Sequence, residues 1–251
     1  MYKIWVIIMK RSFTDLHLNP TSQKINMKFQ LIEKVKSLGY TKIGFSLELF
    51  QNTHSQNQIK EFCKEKKLDF VSRIDLLPTN KNELKSQLRK IRRKYEIICV
   101  KCNTKEVARQ AARDRRVDLL NFPSLYFRNR FFDRNEAELA SNSLAALEID
   151  VKPLFVLKGL SRIKFLSFLR RETKIANDFH IPIVLSSGAT EAILLRKPRE
   201  IATLLYLFDF DEKAALDTVS TNPNIIVSRN REKLSSSFIA PGIRIIPEGD
   251  T

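Results

Sequence analysis

From Phe13 onward one pattern recurs along the chain: a short apolar run, a polar turn, and a longer stretch whose apolar residues fall at helical spacing. Phe13 to Leu18 reads as a first strand, and Ile25, Phe29, Ile32 and Val35 share one face of a helix stopped at Gly39. A second strand, Lys42 to Glu48, leads into a weaker helix from Ser55 to Lys66. The third, Asp69 to Asp75, precedes a helix entered by an Asn80/Glu83 capping pair, with Leu84, Leu88, Ile91 and Tyr95 along its apolar stripe. Glu96 to Lys101 is the fourth, followed by Thr104 as N-cap and a helix through Val107, Ala108, Ala111 and Ala112. Val117 to Phe122 is the fifth, with its helix at Asn135 to Ala145, and the sixth, Ala146 to Val151, precedes a long helix capped at Ser161. Ile181 to Ser187 is followed by a helix that Pro198 starts at its first turn; Asp211 caps one more, and Ile225 to Ser228 completes the series as a last short strand.

Seven or eight such units in one chain predict an α/β fold, a single TIM-like (β/α) barrel of parallel strands occupying residues 13–251. The competing architecture is an open doubly wound sheet, but the glycine-rich turn that usually accompanies nucleotide binding there is missing, since no GxGxxG or Walker A sequence occurs. Residues 1–12 are left as an unassigned extension. Met1 to Met9 (MYKIWVIIM) is too short for a signal core and has no small-residue cleavage site; it reads equally as an extension upstream of a start at Met9.

A parallel barrel gathers the carboxyl ends of its strands at one mouth, and here those ends are polar: Asp15, His17, Glu48, Arg73, Asp75, Lys101, Asn121, Glu148, Asp150, Ser187 and Ser228. Asp15 and His17 alternate so as to share a strand face, which is metal-ligand spacing. Only three histidines exist, however, and His54 and His180 fall on or beside helices, so an imidazole-rich zinc or manganese cluster is not expected. Carboxylates alone leave Mg²⁺ open. Cys99 and Cys102 form a CxxC inside an apolar strand, where a spacing of three sends the side chains to opposite faces; with Cys63 the only other cysteine, this is no zinc ribbon. Three sparse cysteines fit a reducing compartment, the cytoplasm.

Charge changes the picture. Lys and Arg number 44 against 28 Asp and Glu, a net +16, which points to a polyanionic partner. No stretch is apolar enough to span a bilayer. The basic residues cluster at Arg89, Arg92 and Arg93; at Arg109, Arg113, Arg115 and Arg116; at Arg128, Arg130 and Arg134, interleaved with Tyr126, Phe127, Phe131 and Phe132; and at Arg196, Lys197 and Arg199. Arg109, Arg113 and Arg116 have the i, i+4, i+7 spacing of a ridge able to follow a phosphate backbone. Ser187 and Gly188 lie where barrels commonly seat a phosphate on backbone N–H groups, and the same turn also reads as a tight strand-to-helix connection. Arg73, Lys101 and Arg229 complete the candidate polyanion contacts.

The segments FTDLHL, VDLLNFP followed by NEAELA and ALEID, IPIVLSSGATEAILLRKPREIATLL and STNPNIIVS resemble, in order from about Phe13 to Ile246, the archaeal protein component 3 of ribonuclease P. LSSGA followed by Arg196, Pro198 and Arg199 is the most specific part. The resemblance implies a barrel related to the polymerase and histidinol phosphatase (PHP) enzymes. It implies a subunit of the ribonucleoprotein that removes 5′ leaders from precursor tRNA, with catalysis on the RNA, Mg²⁺ used by the holoenzyme and no cofactor or metal on this chain. The implied partners are the ribonuclease P RNA, a small ferredoxin-like subunit (component 2), the other protein subunits and, indirectly, precursor tRNA. PHP enzymes open with an Asp-x-His-x-His metal motif; here Asn19 stands at the second histidine, which favours a barrel that has lost its metal chemistry. The alternative is an active phosphoesterase using Asp15, His17, Glu48, Asp75 and Glu148.

Overall fold

The computed structural model describes residues 11–20, 25–47, 53–91, 93–123, 130–240 and 243–244. Met1 to Met9, Glu48, Arg92 and the loop tip with Tyr126, Phe127 and Arg128 lie outside them. Seven parallel strands form one sheet in sequence order: β1 Thr14–Leu18, β2 Lys42–Leu47, β3 Asp69–Leu76, β4 Ile97–Lys101, β5 Leu119–Asn121, β6 Ala146–Asp150 and β7 Ile183–Ser186. The sheet curls until its edges meet. Leu18 bridges Ala189 in parallel at the mouth, and the main chain at Thr218 and Val219 accepts from Leu185 N (3.1 Å) and Thr14 N (2.9 Å) at the opposite pole. The fold is therefore a nearly closed (β/α) barrel.

The intervening helices are α1 Ile25–Ser37, α2 Thr53–Glu65, α3 Lys81–Lys90, α4 Lys105–Arg113, α5 Arg134–Ser143, α6 Lys152–Val156, α7 Gly159–Asp178, α8 Pro198–Ala202, α9 Glu212–Asp217 and α10 Thr221–Leu234. Their local causes are visible in the sequence. Asn80 Oδ1 accepts from Asn82 N and Glu83 N, and Thr104 Oγ1 from Val107 N, so each cap satisfies amide groups that the helix itself leaves orphaned. Glu83 does not return to Asn80 as a capping box would; its carboxylate takes Thr79 N and Thr79 Oγ1 instead. Val107, Ala108, Ala111 and Ala112 are buried and the small alanines let α4 approach the sheet. Ser161 is not a cap, because α7 begins two residues earlier at Gly159, whose φ of +54° a side chain would resist.

Ile225 to Ser228 is not a strand. It lies inside α10, whose buried residues Pro223, Ile226, Val227 and Asn230 fall at helical spacing. Ile226 and Val227 plug the amino-terminal pole of the barrel against Leu16, Val71, Ile97, Cys99, Leu119, Ala146 and Val184. Polar residues of the same helix fasten it to the starts of the strands: Asn230 donates to Glu96 O, Arg229 to Asp118, and Arg231 to Asp69 and Glu96. Burial of this β-branched pair overrides their strand propensity. Cys99 faces this inner core and Cys102 the outer one between sheet and helices, as the spacing of three predicts. No helix among the described residues is long and apolar enough to cross a membrane.

Candidate functional site

Alternation along the strands sends Arg73 and Asp75 of β3, Lys101 of β4, Asn121 of β5 and Glu148 and Asp150 of β6 into one polar centre at the mouth; His17 of β1 joins them across a register shift between Asp15 and Leu18, so Asp15 does not share its face, and its carboxylate takes Ser187 N and His17 N instead. Arg73, with no exposed surface, organises it. Its guanidinium donates to Glu148 Oε1 (2.5 Å) and Oε2 (2.7 Å), to Asp75 Oδ1 (2.8 Å) and to Leu16 O (2.9 Å). Glu148 also accepts from Ser186 Oγ at 2.8 Å and Asn121 Nδ2 at 2.9 Å. Asn121 Nδ2 uses its other proton on Asp150 Oδ2 (3.0 Å), while His17 Nδ1 lies 2.6 Å from Asp150 Oδ1 and Nε2 3.2 Å from Asp75 Oδ2. Ser46 donates to Asp75 Oδ2 at 2.5 Å.

The titration behaviour follows from these contacts. Burial alone would raise the Asp75 carboxyl, but Arg73, Lys101 and His17 overcome it and hold it well below the usual carboxylate range. Burial likewise opposes ionisation of Asp150, and His17 and Lys101 win, leaving its pKa lowered. For His17, burial and Arg73 oppose the charge, yet Asp150 and Asp75 carry the imidazole above its ordinary 6.5. Asp15 is the exception: burial raises its carboxyl despite amide protons from Ser187 and His17 on Oδ1.

His17, Glu148 and Asp150 offer ligand atoms within 4.8 Å of one another, the spacing of a metal site. The group does not fit a divalent cation. Both Glu148 oxygens are engaged by Arg73, both Asp150 oxygens by His17 and Asn121, and Arg73 and Lys101 already bring two positive charges into the same space. Internal cations thus stand where a metal enzyme needs free carboxylate lone pairs. Glu48, part of the phosphoesterase alternative, lies outside the described residues, and Ser228 belongs to α10 at the opposite pole.

The predicted basic contacts separate into three groups. Arg73 and Arg130 are buried: Arg130 is clamped by Glu172, donates to Phe122 O (3.1 Å) and stacks over Phe165, so it anchors the loop between β5 and α5. Ser187 is buried as well, its amide spent on Asp15 and its hydroxyl accepting from Ala189 N; Gly188 packs on Asp150, where a Cβ would meet the Asp150 Cβ at 2.9 Å. That turn is a tight strand connection in which the Ser187 amide serves Asp15 and the Ala189 amide serves Ser187 Oγ. A second group is surface-lying but ion-paired: Arg109 with Asp133, Arg116 bidentate to Asp114, Arg229 with Asp118, and Arg134 3.8 Å from Asp178. The expected ridge of Arg109, Arg113 and Arg116 is broken, because α4 ends at Arg113 and extended Asp114 turns Arg116 away.

The third group projects into solvent. Arg89, Arg93, Arg113 and Arg115 are exposed where α3 and α4 leave the sheet, with Lys90 and Lys94 beside them; Lys197 and Arg199 are exposed on the mouth side, and Arg196 rests on Phe155 while donating to Ile193 O and Leu195 O. The Arg130–Glu172 lock and the buried Glu136 were not read from the sequence. A charged residue at the apolar phase of a helix, as Glu172 is among Phe165, Leu169 and Ala176, was the available signal.

Fold and site together define a (β/α) barrel whose mouth is lined by internally paired charges and whose sequence is strongly basic. The model of the RNase P subunit p30 family matches residues 12–235. The chain belongs to that family. Among its relatives, ribonuclease P protein component 3 of Methanosarcina barkeri is 27% identical over 241 residues, covering 96% of this chain and 98% of the relative. The Methanosarcina acetivorans protein of the same name is 30% identical over 70% of this chain and 72% of its own length. A chain in the cryo-EM structure of an archaeal ribonuclease P with mature tRNA has the same fold, with a TM-score of 0.82 at 22% identity over 95% of this chain and all of that one. Histidinol phosphate phosphatase of Lactococcus lactis, complexed with zinc, L-histidinol and phosphate, shares the barrel at a TM-score of 0.54 and 14% identity, over 81% of this chain and 94% of that one.

Proposed function

We infer that this chain serves as a protein subunit of ribonuclease P, neutralising RNA phosphates and holding the fold of a catalytic RNA that removes the 5′ leader of precursor tRNA. Membership of the p30 family supports the role. The observation that carries the division of labour is the self-saturated mouth: every oxygen of Glu148 and Asp150 has an internal donor, so the chain offers no metal-activated water and supplies no nucleophile. The metal-dependent phosphoesterase reading needs those same oxygens free. Mg²⁺ then belongs to the RNA. The small ferredoxin-like component 2 and the remaining protein subunits are the expected protein neighbours.

The exposed arginines at the exits of α3 and α4, with Lys197 and Arg199 at the start of α8, are the surface that meets phosphate. Binding of the family's RNA is expected to weaken with salt at a log–log slope of about 0.7–0.9 per phosphate contacted. Charge removal at Arg89, Arg93, Arg113 and Arg115 together reduces the slope by up to about 3–4. An affinity indifferent to salt, or a slope unchanged in that variant and in one lacking Lys197 and Arg199, contradicts the assignment.

A further inference from the structure

The mouth holds a cavity of about 340 Å³, near the lower end of ligand-pocket sizes, ~300–1,000 Å³. It suits one small molecule and no length of polymer. Its lining has two distinct halves. One is apolar, with Phe122, Pro123, Pro153 and Val156. The other is polar and charged, with Lys101 and Lys152 beside His17, Asn121 and the internally paired carboxylates of Glu148 and Asp150.

The carboxylates beneath the cavity are already satisfied, Glu148 and Asp75 by Arg73 and Asp150 by His17 and Asn121. Lys101 is not. Its side chain is only 18% exposed, yet its ammonium comes no closer than 3.9 Å to Asp75 and Asp150 and makes no hydrogen bond among the described residues. An ammonium carries three donors, and a largely buried one with none in use calls for acceptors from outside the chain. Lys152 has one partner, Thr190 Oγ1 at 3.2 Å, and donors to spare.

We propose that the mouth cavity binds a single nucleotide, its phosphate on Lys101 and Lys152 and its base against the apolar wall made by Phe122, Pro123, Pro153 and Val156. A free phosphate leaves the apolar half unused, and an apolar ligand leaves Lys101 without acceptors. A nucleotide satisfies both. The nucleotide is either a free mononucleotide or one unpaired residue of an RNA strand. For the second source alone the proposal rests on the RNA-subunit reading; pocket binding itself does not depend on it.

Calorimetric titration of the full chain with AMP, adenosine, ribose 5-phosphate and inorganic phosphate tests this. AMP is expected to bind more tightly than any of the other three. Lys101→Met and Lys152→Ala are each expected to weaken AMP by about tenfold, the loss of one charge-assisted hydrogen bond. Lys101→Met is checked for native melting; should it fail to fold, Lys152→Ala at the solvent rim carries the test. Displacement of AMP by a short single-stranded RNA identifies RNA as the source, and failure of the RNA to displace it identifies a free mononucleotide. The proposal is overturned if AMP binds no better than ribose 5-phosphate or adenosine, or if folded lysine variants bind AMP like the parent. AMP binding in a protein that has no effect on precursor-tRNA cleavage keeps the pocket and discards the subunit role.

Discussion

Replacing Arg73 by methionine removes the one side chain that donates four hydrogen bonds inside the barrel: two to Glu148, one to Asp75 and one to Leu16 O. Methionine fills most of the aliphatic stem, so packing changes little and the cost is electrostatic. Glu148 keeps Ser186 and Asn121, but it and Asp75 become buried carboxylates without a guanidinium. Breaking a buried pair on one side costs about 3–5 kcal/mol. Against a total stability of roughly 5–15 kcal/mol that is a large fraction, equivalent to a melting temperature lower by about 6–20 °C in a chain of this size. Urea unfolding reads it directly. The companion variant R73M/E148Q removes the uncompensated charge, and about half of the loss is expected to return, since the penalty is chiefly that of an orphaned carboxylate. A loss below about 1 kcal/mol in R73M refutes the reasoning, as does a double variant no more stable than the single one.

Glu136 gives a pH signature. Its carboxylate is fully buried beneath α4 with neither oxygen hydrogen-bonded, and burial, reinforced by Asp133, pushes its pKa up to about 8. The native state therefore keeps a proton that the unfolded chain releases near 4.5, and stability contributed by the protonated form is lost as pH rises toward 8. Urea unfolding of Glu136→Gln should gain on the parent by up to about 1.4 kcal/mol per pH unit across that window; parallel curves exclude the assignment. The helical reading of residues 221–234 predicts that Ile226→Ala costs about 2–5 kcal/mol, whereas Ile225→Ala, at a residue 59% exposed, stays within about 0.5 kcal/mol. Equal losses at the two sites would mean that α10 does not plug the barrel.

The barrel was legible because short, largely apolar segments alternate regularly with helical stripes, several of them opened by a cap, as Asn80, Thr104 and Asp211 show. The convergence of Arg73, Asp75, Lys101, Asn121, Glu148 and Asp150 followed from two-residue alternation, whereas the shared face expected for Asp15 and His17 is lost to a register shift in β1 that alternation does not foresee. Which charges at the mouth cancel one another was not legible, since Arg73 and Glu148 are 75 positions apart and only the closed sheet sets them face to face. For the same reason Arg73 and Arg130 look like surface cations in the sequence, and their partners Glu148 and Glu172 come from distant elements. Ile225 to Ser228 misleads because its short β-branched run, Ile225 to Val227, fits a strand or a buried helix turn equally well. The helical phase of Ile226, Val227 and Asn230 separates them only once the open pole of the barrel is in view.

Reconstitution decides the central claim most directly: precursor-tRNA cleavage measured with the family's RNA and its other protein subunits, with and without this chain, at limiting Mg²⁺. The expected result is that the chain alone, freed of RNA, cleaves nothing, and that adding it to the RNA-containing mixture raises cleavage and lowers the Mg²⁺ requirement. Leader removal by the RNA-free chain, or a mixture indifferent to its presence, contradicts the account.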